Sequence, residues 1–279
     1  MTVIEMYTGA MGNGKSAIVN AKVFRYLRRG AVVGLNYPLI DEWAITYATR
    51  MLPPSASDQR ILDYAIDLYE RMFRFGSIQS CYEFAELVPQ LSTGKMAKER
   101  ERQGVQVFDE CGLYFNARDY MKGRNMQFIQ YFLNLRKFKI FAYFMSHSDE
   151  DIDKQIRAKV ELITECRNLA NRRFAGFDLS VFIKKPKFRT ISIVNGKGSG
   201  RGYAELKETH TLDFDTCDLY DTFLLFKNED MDEEFELSHQ GTHPQEYYKT
   251  AQEKRREELS KKAKAAELYP KYYDLLPAV

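Results

Sequence analysis

The sequence predicts an α/β protein: a mostly parallel β-sheet covered by helices on both faces, with a small β-rich extension and a C-terminal helical tail. Three observations carry that expectation. An apolar run ends in a glycine-rich loop that opens directly into a helical pattern. Short runs rich in β-branched and aromatic residues alternate with segments of helical spacing as far as about Phe177. Beyond that point the pattern changes to short strands and then to a charged helix. Strands separated by helices need crossover connections, and these bury a parallel sheet under two helical layers.

Thr2–Thr8 (TVIEMYT) reads as the first strand, and Ser16–Arg29 as the helix after it, stopped at Gly30. Ala31–Leu35 is a second apolar run, ended by the turn signal Asn36-Tyr37-Pro38. Between Pro54 and Phe75, Ile61, Ala65, Leu68 and Met72 recur at helical spacing, with Asp58 as N-cap. Leu91–Gln103 is polar and charged, a surface loop or frayed helix, and Val105–Phe108 is a third strand running into Asp109-Glu110. Asn125–Leu135 is helical, with Phe128, Tyr131, Phe132 and Leu135 on one face. Lys139–Ser146 is the most strand-like segment of the chain. Asp149–Lys159 follows as a helix whose acidic first turn suits its dipole, and Val160–Cys166 as a fifth strand. Further on, Asp178–Ile183 and Phe188–Val194 read as strands paired around Lys184–Lys187, Gly196–Gly202 as a flexible loop, and Gln245–Leu268 as a Lys/Glu/Ala-rich helix. These shifts divide the chain into a core (1–176), a β-rich extension of that core (177–228) and a charged helical tail (229–279).

With 279 residues, 44% of them hydrophobic, the chain can bury a sizeable core, so disorder is not its default state. A net charge of +2 gives no global field for a polyanion. Contact with nucleic acid would have to come from local basic clusters such as Lys95–Arg102, Arg167–Arg173 and Lys184–Arg201. Cys81, Cys111, Cys166 and Cys217 lie far apart with no Cys-x-x-Cys pair, which argues against a zinc site and a disulfide framework and for reduced thiols in a cytoplasmic protein. No basic region followed by an apolar run opens the chain, and no stretch approaches the ~20 apolar residues of a membrane helix.

The loop after the first strand, Gly9, Ala10, Met11, Gly12, Asn13, Gly14, Lys15, Ser16, satisfies the Walker A pattern G-x-x-x-x-G-K-[ST] and is followed by Ala17 in the helix. Its glycines let successive backbone N–H groups turn inward around a β-phosphate. Lys15 would neutralise β- and γ-phosphate charge, and the Ser16 hydroxyl would ligate Mg²⁺. The chain therefore reads as a P-loop NTPase, with nucleotide held by residues 9–17. Gly104–Glu110 has the form of a Walker B strand, interrupted by Gln106. A carboxylate at the end of that strand can hold the hydrated Mg²⁺, which falls to Asp109, and a second beside it can deprotonate the attacking water, which falls to Glu110. A polar residue after the next strand can sense the γ-phosphate. His147 is preferred there over Ser146 because an imidazole can hydrogen-bond both water and phosphate. Many oligomeric ATPases add an arginine from the adjacent subunit, for which Arg136 is the first candidate, ahead of Arg124 and Arg157.

Taken in order, Walker A, Asp109-Glu110, a helix ending in Arg136, a strand, Ser146-His147 and Ile152–Arg157 (IDKQIR) resemble the Zot (zonula occludens toxin) domain. That family is the ATPase of filamentous-phage assembly proteins, in the FtsK–HerA class of motors. Leu219-Tyr220-Asp221-Thr222 is also similar to a Tyr-Asp segment near that domain's end, so the resemblance spans roughly residues 1–225. Two features depart from it: Lys137 and His147 stand where the family has His and Gln, and no membrane helix follows the domain. The resemblance implies an ATP- and Mg²⁺-dependent viral ATPase that forms a homo-oligomeric ring around DNA, without sequence preference, to drive genome packaging or virion assembly. It would act in the host cytoplasm, in the virion or at the inner-membrane periphery. Three alternatives stand beside it: an extrusion ATPase working with a separate membrane-anchored viral protein, a P-loop small-molecule kinase, and a nucleotide-gated binding protein that does not hydrolyse.

Overall fold

Runs such as IEMYT and IFAYFMS are largely apolar rather than alternating because they become central parallel strands covered on both faces. In the computed structural model, which describes residues 3–115, 123–168, 173–174, 177–178, 187–194, 205–211, 216, 219–220 and 235–248, every residue of β1 (Ile4–Thr8) and β5 (Ile140–Ser146) is buried. The other strands are β2 (Val32–Leu35), β3 (Met72–Arg74), β4 (Gly104–Phe108), β6 (Leu162–Asn168), β7 (Arg173–Phe174), β8 (Phe177–Asp178), β9 (Lys187–Val194), β10 (Glu205–Thr211) and β11 (Ser238–His239). Nine of them form one sheet in the order β10-β9-β6-β1-β5-β4-β2-β3-β11, while β7 and β8 make a separate pair. Neighbours from β6 to β3 are parallel; β9, β10 and β11 join antiparallel at the two edges.

Side chains alternate between the two faces with period two. Tyr7, Val105, Val107, Phe141, Tyr143 and Met145 share a cluster with helices α1 (Lys15–Arg28), α2 (Trp43–Met51) and α3 (Asp58–Tyr69). Met6, Phe108, Ile140, Ala142 and Phe144 share the other with α4 (Ile78–Leu91), α5 (Cys111–Tyr114), α6 (Gly123–Asn134) and α7 (Lys154–Arg157). Gln106, which interrupts the apolar run of β4, accepts a 2.6 Å hydrogen bond from the Tyr131 hydroxyl of α6, so its amide oxygen is buried with a partner.

Several sequence expectations are corrected. Ser57, not Asp58, caps α3, accepting from the Arg60 N–H, and Asp58 is the first helical residue. Met72 lies in β3 and not on the helix, because Glu70 and Arg71 turn the chain back into the sheet. Asp149–Lys159 is not one helix. Ser148 and Asp153 each cap a new turn, so a 3-10 turn at Asp149–Asp151 and the short α7 are separated by extended Ile152. Phe188–Val194 does not pair with Asp178–Ile183. Instead β9 pairs with β6 and with β10, and Phe177–Asp178 pairs with Arg173–Phe174. The glycine-rich segment 196–202 lies outside the described residues, as do Lys184, Lys185 and the tail from 249 onward.

The segment 235–248 is built into the sheet. β11 closes the β3 edge, and buried Gln240 threads between elements. Its side chain accepts from the Leu39 N–H at 3.1 Å and donates to the Tyr37 carbonyl at 2.9 Å, and its own carbonyl accepts from Trp43 Nε1 at 2.8 Å. Residues 244–248 start a helix there. Among the described residues, no helix is long and apolar enough to cross a membrane.

Candidate nucleotide site

The end of β1, the following loop and the head of α1 form one continuous turn. Gly9, Gly12 and Gly14 all have positive φ (140°, 77° and 84°), a region that side-chain-bearing residues avoid. At Gly9 the space is closed as well, since a Cβ would lie 2.6 Å from the Cys166 carbonyl oxygen. The Gly9 N–H donates to the His147 carbonyl at 3.2 Å, which ties the loop's first residue to the end of β5. On the outer rim, Asn168 of β6 donates through Nδ2 to the Gly12 carbonyl at 3.2 Å. Ala10, Met11 and Gly12 are exposed at the mouth, and Ala17 lies half-buried on the first turn of α1. Lys15 is buried, its Nζ donating to the Gly9 carbonyl at 2.7 Å and reaching that of Ala10 at 3.4 Å.

β5 lies between β1 and β4, so the ends of all three strands open onto one crevice. Asp109, at the end of β4, is buried. Burial, reinforced by the neighbouring Glu110 charge, pushes its carboxyl up to about 6, against the opposing pull of the Glu110 N–H, Lys15 and the Tyr220 hydroxyl. Its Oδ1 accepts from the Glu110 N–H at 2.9 Å. Glu110 itself adopts left-handed backbone (φ 50°, ψ 49°) as the residue capping α5. For a residue with a side chain this conformation is strained, and it aims the carboxylate across the crevice rather than along the strand. There its Oε1 lies 3.5 Å from His147 Nε2, with both side chains part-exposed. Ser146 points instead to Asp151, its Oγ 3.4 Å from Oδ2.

The structure therefore gathers residues 9–17, Asp109, Glu110 and His147 at one end of the sheet. It does not bring Arg136 there. Arg136 precedes β5, at the opposite end, where its Nε donates to Glu101 at 2.9 Å and its side chain is 70% exposed. Arg157 binds the Asp149 carbonyl at 3.2 Å, and the side chain of Arg124 is outside the described residues.

Two further residues complete the crevice. Asn36, read from sequence only as part of a turn, clamps the backbone of Asp109: its Oδ1 accepts from the Asp109 N–H at 2.7 Å and its Nδ2 donates to the Asp109 carbonyl at 2.9 Å. Tyr220 donates to Asp109 Oδ2 at 3.3 Å, on the side of the crevice where Ser16 lies. The signal for Asn36 was its place at the end of a strand; for Tyr220 local sequence held nothing beyond the family-like Tyr-Asp pair.

Among the described residues no three His, Cys, Asp or Glu side chains converge as a metal cage. The donors at hand are a serine hydroxyl and a carboxylate. Both are hard oxygen ligands, and they suit Mg²⁺, which keeps several waters and takes its remaining contacts from phosphate.

The high carboxyl pKa of Asp109 makes a testable statement about stability. The penalty is fully present above about pH 6, where the buried group is charged, and it vanishes below the ordinary value of 3.8, where both folded and unfolded forms are protonated. It amounts to roughly 3 kcal/mol. In chelator at pH 7.5, Asp109→Asn is expected to raise the melting temperature by about 5 °C. The gap should narrow as pH falls below about 6 and close below 3.8, and a lower melting temperature at pH 7.5 would contradict the reading.

The family model described as Zonular occludens toxin (Zot) matches residues 3–198. The Gene 1 protein of Enterobacteria phage I2-2 is 25% identical over 167 residues, which are 60% of this chain and 40% of that protein. The chain spans about two fifths of the length of the phage Gene 1 proteins it matches first. Among solved structures, the N-terminal domain of zonular occludens toxin from Neisseria meningitidis aligns with a TM-score of 0.41 at 16% identity, covering 79% of this chain and 100% of that one. The genome packaging NTPase of Sulfolobus turreted icosahedral virus 2, in complex with ATP-gammaS, aligns with a TM-score of 0.38 at 12% identity, covering 75% of this chain and 97% of that one.

Proposed function

The chain belongs to the zonular occludens toxin (Zot) family, and from that premise we propose that it is a viral, phage-type ATPase. ATP hydrolysis at the crevice drives genome packaging or virion assembly, in a homo-oligomeric ring that holds DNA by its backbone. The observation that carries the reading is the joining of the phosphate loop to Asp109 and Glu110 across β5, with His147 between them.

In this reading the loop N–H groups and Lys15 bind the phosphates. Ser16 and Asp109 would hold Mg²⁺, which when bound would supply positive charge against that developing on the phosphoryl group. Glu110 accepts the proton of the attacking water. His147 Nε2 lies 3.5 Å from the Glu110 carboxylate while its carbonyl accepts from the Gly9 N–H, so a shift of the loop on nucleotide binding is felt at the base. Arg136, exposed at the far end of the sheet, cannot serve its own crevice and is proposed to reach that of a neighbouring subunit.

A polyanion surface is supported on the α1 face. A cavity of about 270 Å³ there carries Lys22, Arg25, Arg29 and Arg102 around the single carboxylate of Glu5. Phosphate contacts release condensed counterions, so binding is salt-sensitive and carries little sequence information. ATP turnover should therefore rise on adding DNA of arbitrary sequence, and the rise should fade with salt. Arg25→Ala with Arg29→Ala should blunt it and leave basal turnover intact. ATP consumption in proportion to a small acceptor, indifferent to DNA, would replace the motor with a kinase. Response to a membrane-protein partner but to no nucleic acid would favour an extrusion ATPase.

A further inference from the structure

We propose that Tyr220 is a positioning residue of the cation site, orienting the Asp109 carboxylate toward a hydrated divalent cation held between it and Ser16; this rests on the nucleotide-site reading above. Ser16 heads α1 and Asp109 ends β4, with a whole strand between them, and nothing covalent fixes their separation. The Tyr220 hydroxyl reaches between them: it donates to Asp109 Oδ2 at 3.3 Å, on the side of the crevice where Ser16 lies. Asp109 Oδ1 is taken by the Glu110 N–H at 2.9 Å, so each carboxylate oxygen has a partner that sets its direction.

The phenol is itself held. Leu219 is fully buried in the cluster under α1, and its carbonyl accepts from the Ile40 N–H at 3.1 Å. Tyr220 forms a β-bridge with Leu39, and its ring meets that of Tyr37 edge-on at 4.9 Å. A phenol with two torsions, set on pinned backbone, keeps its hydroxyl in place at little entropic cost. It arrives 111 residues after Asp109 and lies outside the segment matched by the family model. Groups that hydrogen-bond a metal-binding carboxylate orient it, and their loss typically costs 10- to 100-fold in metal affinity.

The test is a Mg²⁺ titration of fluorescent ATP-analogue binding to the full chain, with a parallel measurement in EDTA. Tyr220→Phe keeps the ring against Tyr37 and removes only the hydroxyl. Its Mg²⁺ midpoint should move up roughly tenfold, while binding in EDTA and the melting temperature of the nucleotide-free protein stay as in wild type. Combined with Asp109→Asn, Tyr220→Phe should add no further shift, because it acts through that carboxylate. An unchanged midpoint overturns the proposal. So does a lowered one, which would make the hydroxyl an occupant that the cation must displace. Equal losses with Mg²⁺ and in EDTA also overturn it, since they mark a purely structural role. If wild-type protein binds no nucleotide in either condition, the nucleotide-site reading itself has failed; the Tyr220 result is informative only where wild type binds.

Discussion

Lys15→Ala is expected to lose nucleotide binding by a factor on the order of 10² or more. The buried Nζ stands on the carbonyls of Gly9 and Ala10, at the inner wall of the loop that would wrap the phosphates. Removing a buried, hydrogen-bonded charge partner costs about 2–5 kcal/mol, and residues 9–17 carry no second cationic side chain to take its place. The fold should survive, because the ammonium meets only loop carbonyls and the apolar side of α1 lies on other residues. Binding of a fluorescent ATP analogue, read beside the melting temperature of both proteins, checks the expectation. Wild-type affinity in a folded Lys15→Ala protein would remove the phosphate loop from the argument altogether.

Glu110→Gln should separate binding from turnover: nucleotide affinity stays within a few-fold of wild type, and hydrolysis slows by ~10²-fold or more. The substitution suits the geometry. Gln has the same shape and meets the same left-handed backbone requirement (φ 50°), so only the basic oxygen is lost. Single-turnover hydrolysis and equilibrium binding are the two measurements. If Glu110→Gln is neutral and Asp109→Asn shows this phenotype, the proton acceptor is Asp109 and the two carboxylates exchange roles.

What was legible in the sequence was local. The order strand, Gly-rich loop, Lys15, Ser16, helix is contiguous in the chain, so backbone conformation and chemistry are written in the same eight residues. Asp109 and Glu110 could be placed because an apolar strand ends at them. The partners of Asp109 could not. Asn36 and Tyr220 are 73 and 111 residues from Asp109, and neither residue type announces what it will bond. The pairing of β9 was missed for the same reason: its periodicity fixes that it is a strand, and only the sheet decides which neighbour it takes. Arg136 shows the converse. It follows the end of α6, where the family pattern puts an arginine, yet it sits at the end of the sheet away from its own crevice.

The Gln240 insertion bears on what counts as the autonomous unit. The family match stops at 198, but a chain cut there would lose β10, the Leu39–Tyr220 bridge and β11. It would uncover the long flank of β9 on one side and the backbone of β3 on the other, each a template for another chain's strand. The Leu39 N–H and Trp43 Nε1, now satisfied by Gln240, would be stranded in the interior at about 1–3 kcal/mol each. Evolutionary kinship and physical self-sufficiency thus have different borders in this molecule, and the second runs at least to residue 240.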